Sequence, residues 1–280
     1  MRQILEDLSA PAMVTAIETS LFEFFTLFRF WPGAEMHDDP DMLWTITDIP
    51  FSLFNSVLRA QLAPNNLDAA IEAAIHRSRS MNVPMLWWVG PATRPVDLGT
   101  HLERHGFSRD EDETGMAVDL LKLNEGLTTP PGLEIEPVND LPTLKQWCHV
   151  FSAGFEIPEP YGQAFFDLFA SLGFGAGSPI KSFLGRLNGE PVAISMLFLR
   201  AGVAGIYCVT TLPAARRLGV GAAMTLFPLL EARRQGYRAG ILQASAMGAS
   251  VYRRLGFQEY CKIREYTWME SITRLASPNS

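Results

Sequence analysis

The hexapeptide Arg216-Arg217-Leu218-Gly219-Val220-Gly221 separates two runs of different period. Val203 to Leu212 is apolar and reads as a strand; Ala222 to Gln235 is amphipathic and reads as a helix. A strand that runs through a glycine-rich, doubly cationic turn into a helix builds an α/β frame around an anion site. The first helical turn carries N–H groups with no intrahelical acceptor and the positive end of the macrodipole. Phosphate oxygens bind there through the backbone alone. Gly219 and Gly221 let a ligand come close to the main chain, and Arg216 and Arg217 add charge. Two phosphate loops do not fit. A dinucleotide loop needs a third small residue where Met224 stands, and a P-loop needs a lysine that the segment lacks.

The residues downstream favour another phosphate ligand. A strand-like run, Ala239 to Ala244, follows the helix. Then comes Ala246-Met-Gly-Ala-Ser-Val-Tyr-Arg-Arg-Leu-Gly-Phe257, a short helix that Gly256 is placed to end. Strand, R-x-x-G-x-G, helix, strand, short helix with Tyr252, then L-G-F: this order resembles the GNAT superfamily of CoA-dependent N-acyltransferases, over roughly the last half of the chain.

The resemblance implies that the loop cradles the pyrophosphate of acetyl-CoA through Arg216, Arg217, Leu218, Gly219, Val220, Gly221 and Ala222. It implies that the strand end Val209-Thr210-Thr211 pairs with the pantetheine arm as an added strand would. Tyr252 matches the tyrosine that in many members protonates the CoA thiolate. A phenol, with a reference pKa of about 10, can share a proton with a thiol at about 8.5. Ser245 stands where the family often has asparagine, and Gly248 where it often has alanine. The glutamate that some members use as general base, on the strand ahead of the loop, is missing from Gly205-Ile-Tyr-Cys208. Tyr207 is the cleft-facing candidate on that strand, and Glu156 and Glu159 fall in the substrate-lining segment between the family's first two helices.

Composition narrows the class. The chain has 280 residues, 48% of them apolar, enough for one large or two modest cores. Its N-terminus reads as lacking a signal peptide, and no window approaches the ~20 apolar residues of a membrane span. Cys148, Cys208 and Cys261 are far apart and read as reduced core cysteines of a cytoplasmic protein. The net charge of −7 argues against a general nucleic-acid binder. The chain is +3 from Leu133 onward and −10 before it, so the basic part holds the anion loop. No metal is expected: His101 and His105, one turn apart, have no evident third ligand and read as a solvated helix face.

The first half reads as a worn copy of the second. Trp44-Thr-Ile-Thr-Asp-Ile-Pro50 parallels Tyr207-Cys-Val-Thr-Thr-Leu-Pro213, and Leu102-Glu-Arg-His-Gly-Phe107 parallels Tyr252-Arg-Arg-Leu-Gly-Phe257. The extra residues of the first half fall around Phe51 to Asn66. Phe51-Ser-Leu-Phe-Asn-Ser-Val-Leu58 then stands in place of the anion loop, and Leu102 in place of Tyr252, so this half is expected not to bind CoA productively. The expected domains are 1–123, a degenerate GNAT-like domain; 124–132, a linker; and 133–280, the acetyltransferase domain. The run Leu21 to Trp31 reads as core, with a dimer interface as second use.

The expected fold is therefore a tandem GNAT arrangement: α/β, with a mixed, mainly antiparallel sheet and flanking helices. The expected activity is transfer of an acetyl group from acetyl-CoA to an amine by direct attack, at one site per chain, in a monomer or homodimer. The competing expectation is a non-catalytic acyl-CoA sensor.

Overall fold

The computed structural model describes residues 4–270. The first part of the chain forms α1 (Ala10–Phe25), β1 (Glu35–Asp38), β2 (Met42–Ile46), β3 (Ser56–Ala60), α2 (Leu67–Met81), β4 (Met85–Val89), α3 (Leu98–Arg104), β5 (Ser108–Arg109) and β6 (Glu113–Asp119). The second part forms β7 (Leu133–Pro137), α4 (Leu141–Gly154), α5 (Glu159–Ser171), β8 (Ile180–Leu187), β9 (Glu190–Arg200), β10 (Val203–Thr211), α6 (Val220–Arg234), β11 (Ala239–Ala244), α7 (Ala249–Leu255) and β12 (Gln258–Trp268). The strands are mixed and mainly antiparallel, as expected. Among the described residues no helix is long and apolar enough to cross a membrane.

Two compact units result, and they divide the chain elsewhere than at the 124–132 segment. One is Met1–Ser20 with Thr114–Tyr260; the other is Leu21–Glu113 with Cys261–Ser280. Each sheet thus takes a closing strand from the other half of the sequence.

In the first unit the strand order is β6-β11-β10-β9-β8-β7, with β10 and β11 parallel and the other neighbours antiparallel. The β8–β9 hairpin turns on Asn188 and Gly189, both at positive φ, the conformation a two-residue type I′ turn demands. Helix α4 starts on Asp140, whose carboxylate accepts the Thr143 N–H at 2.7 Å. Phe183, Leu197, Met224, Leu229 and Leu255 belong to a buried core that joins α6 and α7 to the sheet. β6 bonds along the whole of β11, from Ala239↔Asp119 to Ala244↔Thr114.

In the second unit β1, β2 and β3 are antiparallel neighbours, β3 and β4 are parallel, and β12 runs antiparallel to both β4 and β5. Trp87, Ile71, Leu98, Leu102 and Tyr266 form its core with α2 and α3. The apolar run after Ser20 is core too. Phe25 lies 4.8 Å from Trp88, and Phe28 meets Phe54 edge-on at 4.7 Å. The run turns from α-helix to a 3₁₀ turn at Thr26–Phe30, which suits the three-residue spacing of Glu23, Thr26 and Arg29.

The topology corrects the internal alignment. β3, not the Trp44 strand, holds the place of β10. Each has an antiparallel partner before it in sequence, then a long helix, then a parallel partner. The segment taken as extra residues therefore contains a sheet strand. The counterpart of the anion loop becomes Gln61-Leu-Ala-Pro-Asn-Asn66, which also lacks glycine and arginine. Beyond Val57, moreover, the open edge of β3 is filled. The Arg94 N–H donates to the Ala60 carbonyl (2.9 Å), and the Leu62 N–H donates to the Arg94 carbonyl (3.0 Å).

Two predictions follow from this arrangement. A fragment of residues 133–280 lacks β6, so β11 has an unpaired edge; it should melt without the cooperative transition of the full chain when followed by circular dichroism. Glu113 and Glu265 are pushed up to about 7 and about 8, chiefly by burial, with the Glu113 charge a further cause for Glu265. The folded chain then holds more protons than the unfolded chain between about pH 4.5 and 8, and stability falls as pH rises through that window. Glu265→Gln should raise the melting temperature at pH 8.5 and leave it nearly unchanged at pH 4.5.

Candidate active site

The site grows from the way β10 ends. It pairs with β11 only at Ala204↔Gly240 and Gly205↔Ile241. From Ile206 onward the two strands part, while β10 keeps its partner β9 up to Thr211↔Ala193. A bulge between Tyr207 and Thr210 shifts the register, and Cys208 within it adopts φ +52. Val209, Thr210 and Thr211 thus lie on a strand stretch with no β-partner on the β11 side among the described residues. The end of α4 comes very close to it: a Cβ on Gly154 would meet the Thr210 hydroxyl at 2.3 Å. Only glycine permits that approach.

The anion loop follows. Arg216 Nε donates to the Thr211 carbonyl at 2.9 Å, which ties the loop to the strand end. Arg217 and Gly219 have φ of +64 and +90, and Gly219 is the N-cap of α6. No side chain caps this helix and no acid lies in its first turn, so the N–H groups at Val220, Gly221 and Ala222 keep their donor capacity. Arg216 and Arg217 are exposed, and neither has a carboxylate partner among the described residues. The two glycines differ. At Gly219 a side chain would be strained by its φ and would meet the Thr128 carbonyl at 3.4 Å; at Gly221 a Cβ would make an ordinary 3.6 Å contact with Thr211 Oγ1. The protein itself thus has room for a methyl group at Gly221.

Tyr252 sits on α7 and is 9% exposed, in edge contact with Phe257 at 6.0 Å. Gly248 leaves room for the ring, since a Cβ there would stand 3.0 Å from Tyr252 Cε2. Gly256 ends the helix at φ +102, as its sequence position suggests. Ser245 starts α7: its hydroxyl accepts the Gly248 N–H at 3.2 Å, and its carbonyl accepts the Gly248 and Ala249 N–H groups at 3.1 Å each.

The base candidates are placed differently. The Tyr207 hydroxyl is 3.0 Å from that of Ser20 on α1, and its ring packs edge-on against Phe198. Gly205 makes that position possible, because a Cβ there would lie 2.6 Å from the Tyr207 ring. Glu156 is exposed, at φ +54 in the turn after α4. Glu159 begins α5 and lines an open groove of about 730 Å³ between α4 and α5. Burial pushes the Cys148 thiol up to about 12 and raises Cys208 further, so neither serves as a thiolate nucleophile. Among the described residues no group of three or more His, Cys, Asp and Glu side chains is arranged to hold a metal ion.

No signal in the sequence marks the Cys208 bulge or the close approach of Gly154. A cysteine at positive φ and a glycine at a helix end have ordinary local surroundings.

No protein-family model matches the sequence, and no characterised protein matches it by sequence. Solved structures match over most of the length. A GCN5-related N-acetyltransferase from Kribbella flavida gives a TM-score of 0.69 at 19% identity, over 90% of this chain and 95% of that one. One from Sphaerobacter thermophilus gives 0.59 at 17% identity, over 95% and 94%. A tandem GNAT protein of the clavulanic acid biosynthesis pathway gives 0.58 at 12% identity, over 89% and 85%.

The two loop glycines make a test of the local argument. Gly219→Ala should lose about 1–2 kcal/mol in urea denaturation, the usual cost of a left-handed non-glycine residue. Gly221→Ala should lose nothing and gain up to about 1 kcal/mol from helix propensity.

Proposed function

We infer that this chain, which has the GCN5-related N-acetyltransferase fold in tandem form, transfers an acetyl group from acetyl-CoA to an amine at one site per chain. The observation that carries the inference is the parting of β10 from β11 immediately ahead of a helix N-terminus flanked by two arginines that have no carboxylate partner among the described residues. The loop from Arg216 to Ala222 binds the pyrophosphate with its backbone N–H groups and cationic side chains. The free edge at Val209, Thr210 and Thr211 takes the pantetheine arm as a short added strand, and Ser245 stands at the start of α7 with a hydroxyl proton to donate. The acceptor amine attacks the thioester carbonyl directly. Strand N–H groups hold the oxyanion, and Tyr252 gives its proton to the departing sulfur. The attacking amine gives its proton to water, from which the Tyr252 phenolate recovers its own; Tyr207 stands on the cofactor strand with its hydroxyl bonded to that of Ser20, and Glu156 guides a cationic amine inward from the exposed turn.

One site per chain is supported by the second unit's own geometry. The edge of β3 that corresponds to the open edge of β10 is bonded to Arg94, and the loop after it has neither glycine nor arginine. Acetyl-CoA and a small-molecule or peptide amine are thus the partners, in a cytoplasmic protein with three free cysteines.

Release of free CoA thiol, measured with acetyl-CoA and a panel of amines, tests the inference. Tyr252→Phe should lower kcat roughly 100-fold while the Kd for acetyl-CoA stays within about twofold. Gly221→Ala should weaken acetyl-CoA at least about tenfold, since the added methyl occupies space that the protein itself leaves free. Tight acetyl-CoA binding with no acceptor-dependent thiol release across the panel would instead identify an acyl-CoA sensor.

A further inference from the structure

A second cavity lies in the same unit, well away from the anion loop. It encloses about 350 Å³ between the starts of β8 and α4, the end of α5, and Glu231 of α6. Glu231 is eleven residues beyond Val220, so the cavity sits about 16 Å along α6 from the helix end that faces the loop. That volume is within the range of small-molecule sites.

Its walls specify a ligand class. Leu144, Phe169 and Ile180 are buried apolar residues that line it. Phe174 closes one side, held between Gly173 at φ +68 and Gly175 at φ +79. An aromatic body suits these faces. Ser182 lines the cavity, and its hydroxyl has no protein hydrogen-bond partner among the described residues. A hydroxyl without a protein partner at a cavity wall is open to bond a ligand in place of water. Asn139, at the rim, adds an amide that both donates and accepts and has no partner of its own. The charged residues of the lining are Lys181 and Glu231, and they neutralise each other in an ion pair at 2.5 Å. A charged ligand would have to compete with that pair.

We propose that this cavity binds a small uncharged aromatic molecule whose head group carries both a hydrogen-bond donor and an acceptor, with Ser182 and Asn139 holding the head and Phe169 and Phe174 the ring. The site is independent of acetyl transfer, so its test reads binding alone.

Benzamide is the probe, titrated into the full chain by NMR, with benzoate and benzylammonium as charged counterparts. Benzamide should bind with a Kd of about 1 mM, and each charged analogue at least about tenfold more weakly. Ser182→Ala should raise the benzamide Kd about fivefold, and Phe174→Ala about tenfold. Phe174 is partly exposed, so its variant remains a test even where Ser182→Ala fails to fold. The proposal is overturned by no saturable binding up to about 50 mM, by unchanged affinity in either folded variant, or by equal affinity for a charged analogue.

Discussion

The candidate site depends on two parallel strands that stay together for two residue pairs and then separate. A strand inside a sheet has its backbone donors and acceptors committed on both sides; β10 beyond Gly205 has them committed on one. The groups on the other side need no side chain to become a recognition surface. The bulge at Cys208 and the glycine at position 154 both serve this geometry. One bends the strand where it leaves its neighbour, and the other lets α4 close against it. The loop from Arg216 to Gly221 then offers its donors directly after the strand's free edge, so two sets of backbone N–H groups lie in sequence along one path.

The second unit shows what happens when the same frame is built without that vacancy. β3 and β4 also pair in parallel at only two positions, Ser56↔Leu86 and Val57↔Trp87. The chain after β4 then returns, and Arg94 bonds to Ala60 and Leu62. The hydrogen-bonding capacity that β10 keeps open is used internally. Loss of the glycines and arginines in the following loop is consistent with that closure, because an anion cradle next to a filled edge has no arm to accompany it.

Much of this was legible in the sequence where local chemistry decides the structure. Asn188-Gly189 specified its hairpin, Asn139 or Asp140 the start of α4, where Asp140 is the cap, and Gly256 the left-handed end of α7. The order of strands and helices around the anion loop identified the fold. What escaped was set by tertiary contacts or by exceptions to local rules. Helix α5 takes in Glu159, with Pro160 in its first turn, although the sequence places Glu159 in the segment between the first two helices. Ser56–Ala60, Ser-Val-Leu-Arg-Ala, has a single β-branched residue and no apolar–polar alternation to mark a strand, and it was read as an insertion. Alternation alone turned Tyr207 toward the cleft, but the bulge and the Ser20 hydroxyl decide its surroundings.

The origin of the closing strands bears on how such a chain is made. The unit that begins at Leu21 includes residues from Cys261 onward, and β12 bonds to β4 from Arg264↔Val89 to Trp268↔Met85. During vectorial synthesis at about 5–20 residues per second, β4 must wait on the order of ten seconds for that partner. Until then, part of an apolar strand that includes Trp87 and Trp88 is unpaired along one edge. The nascent chain therefore carries an open apolar strand edge in the part made first, and it covers that edge only once β12 has left the ribosome.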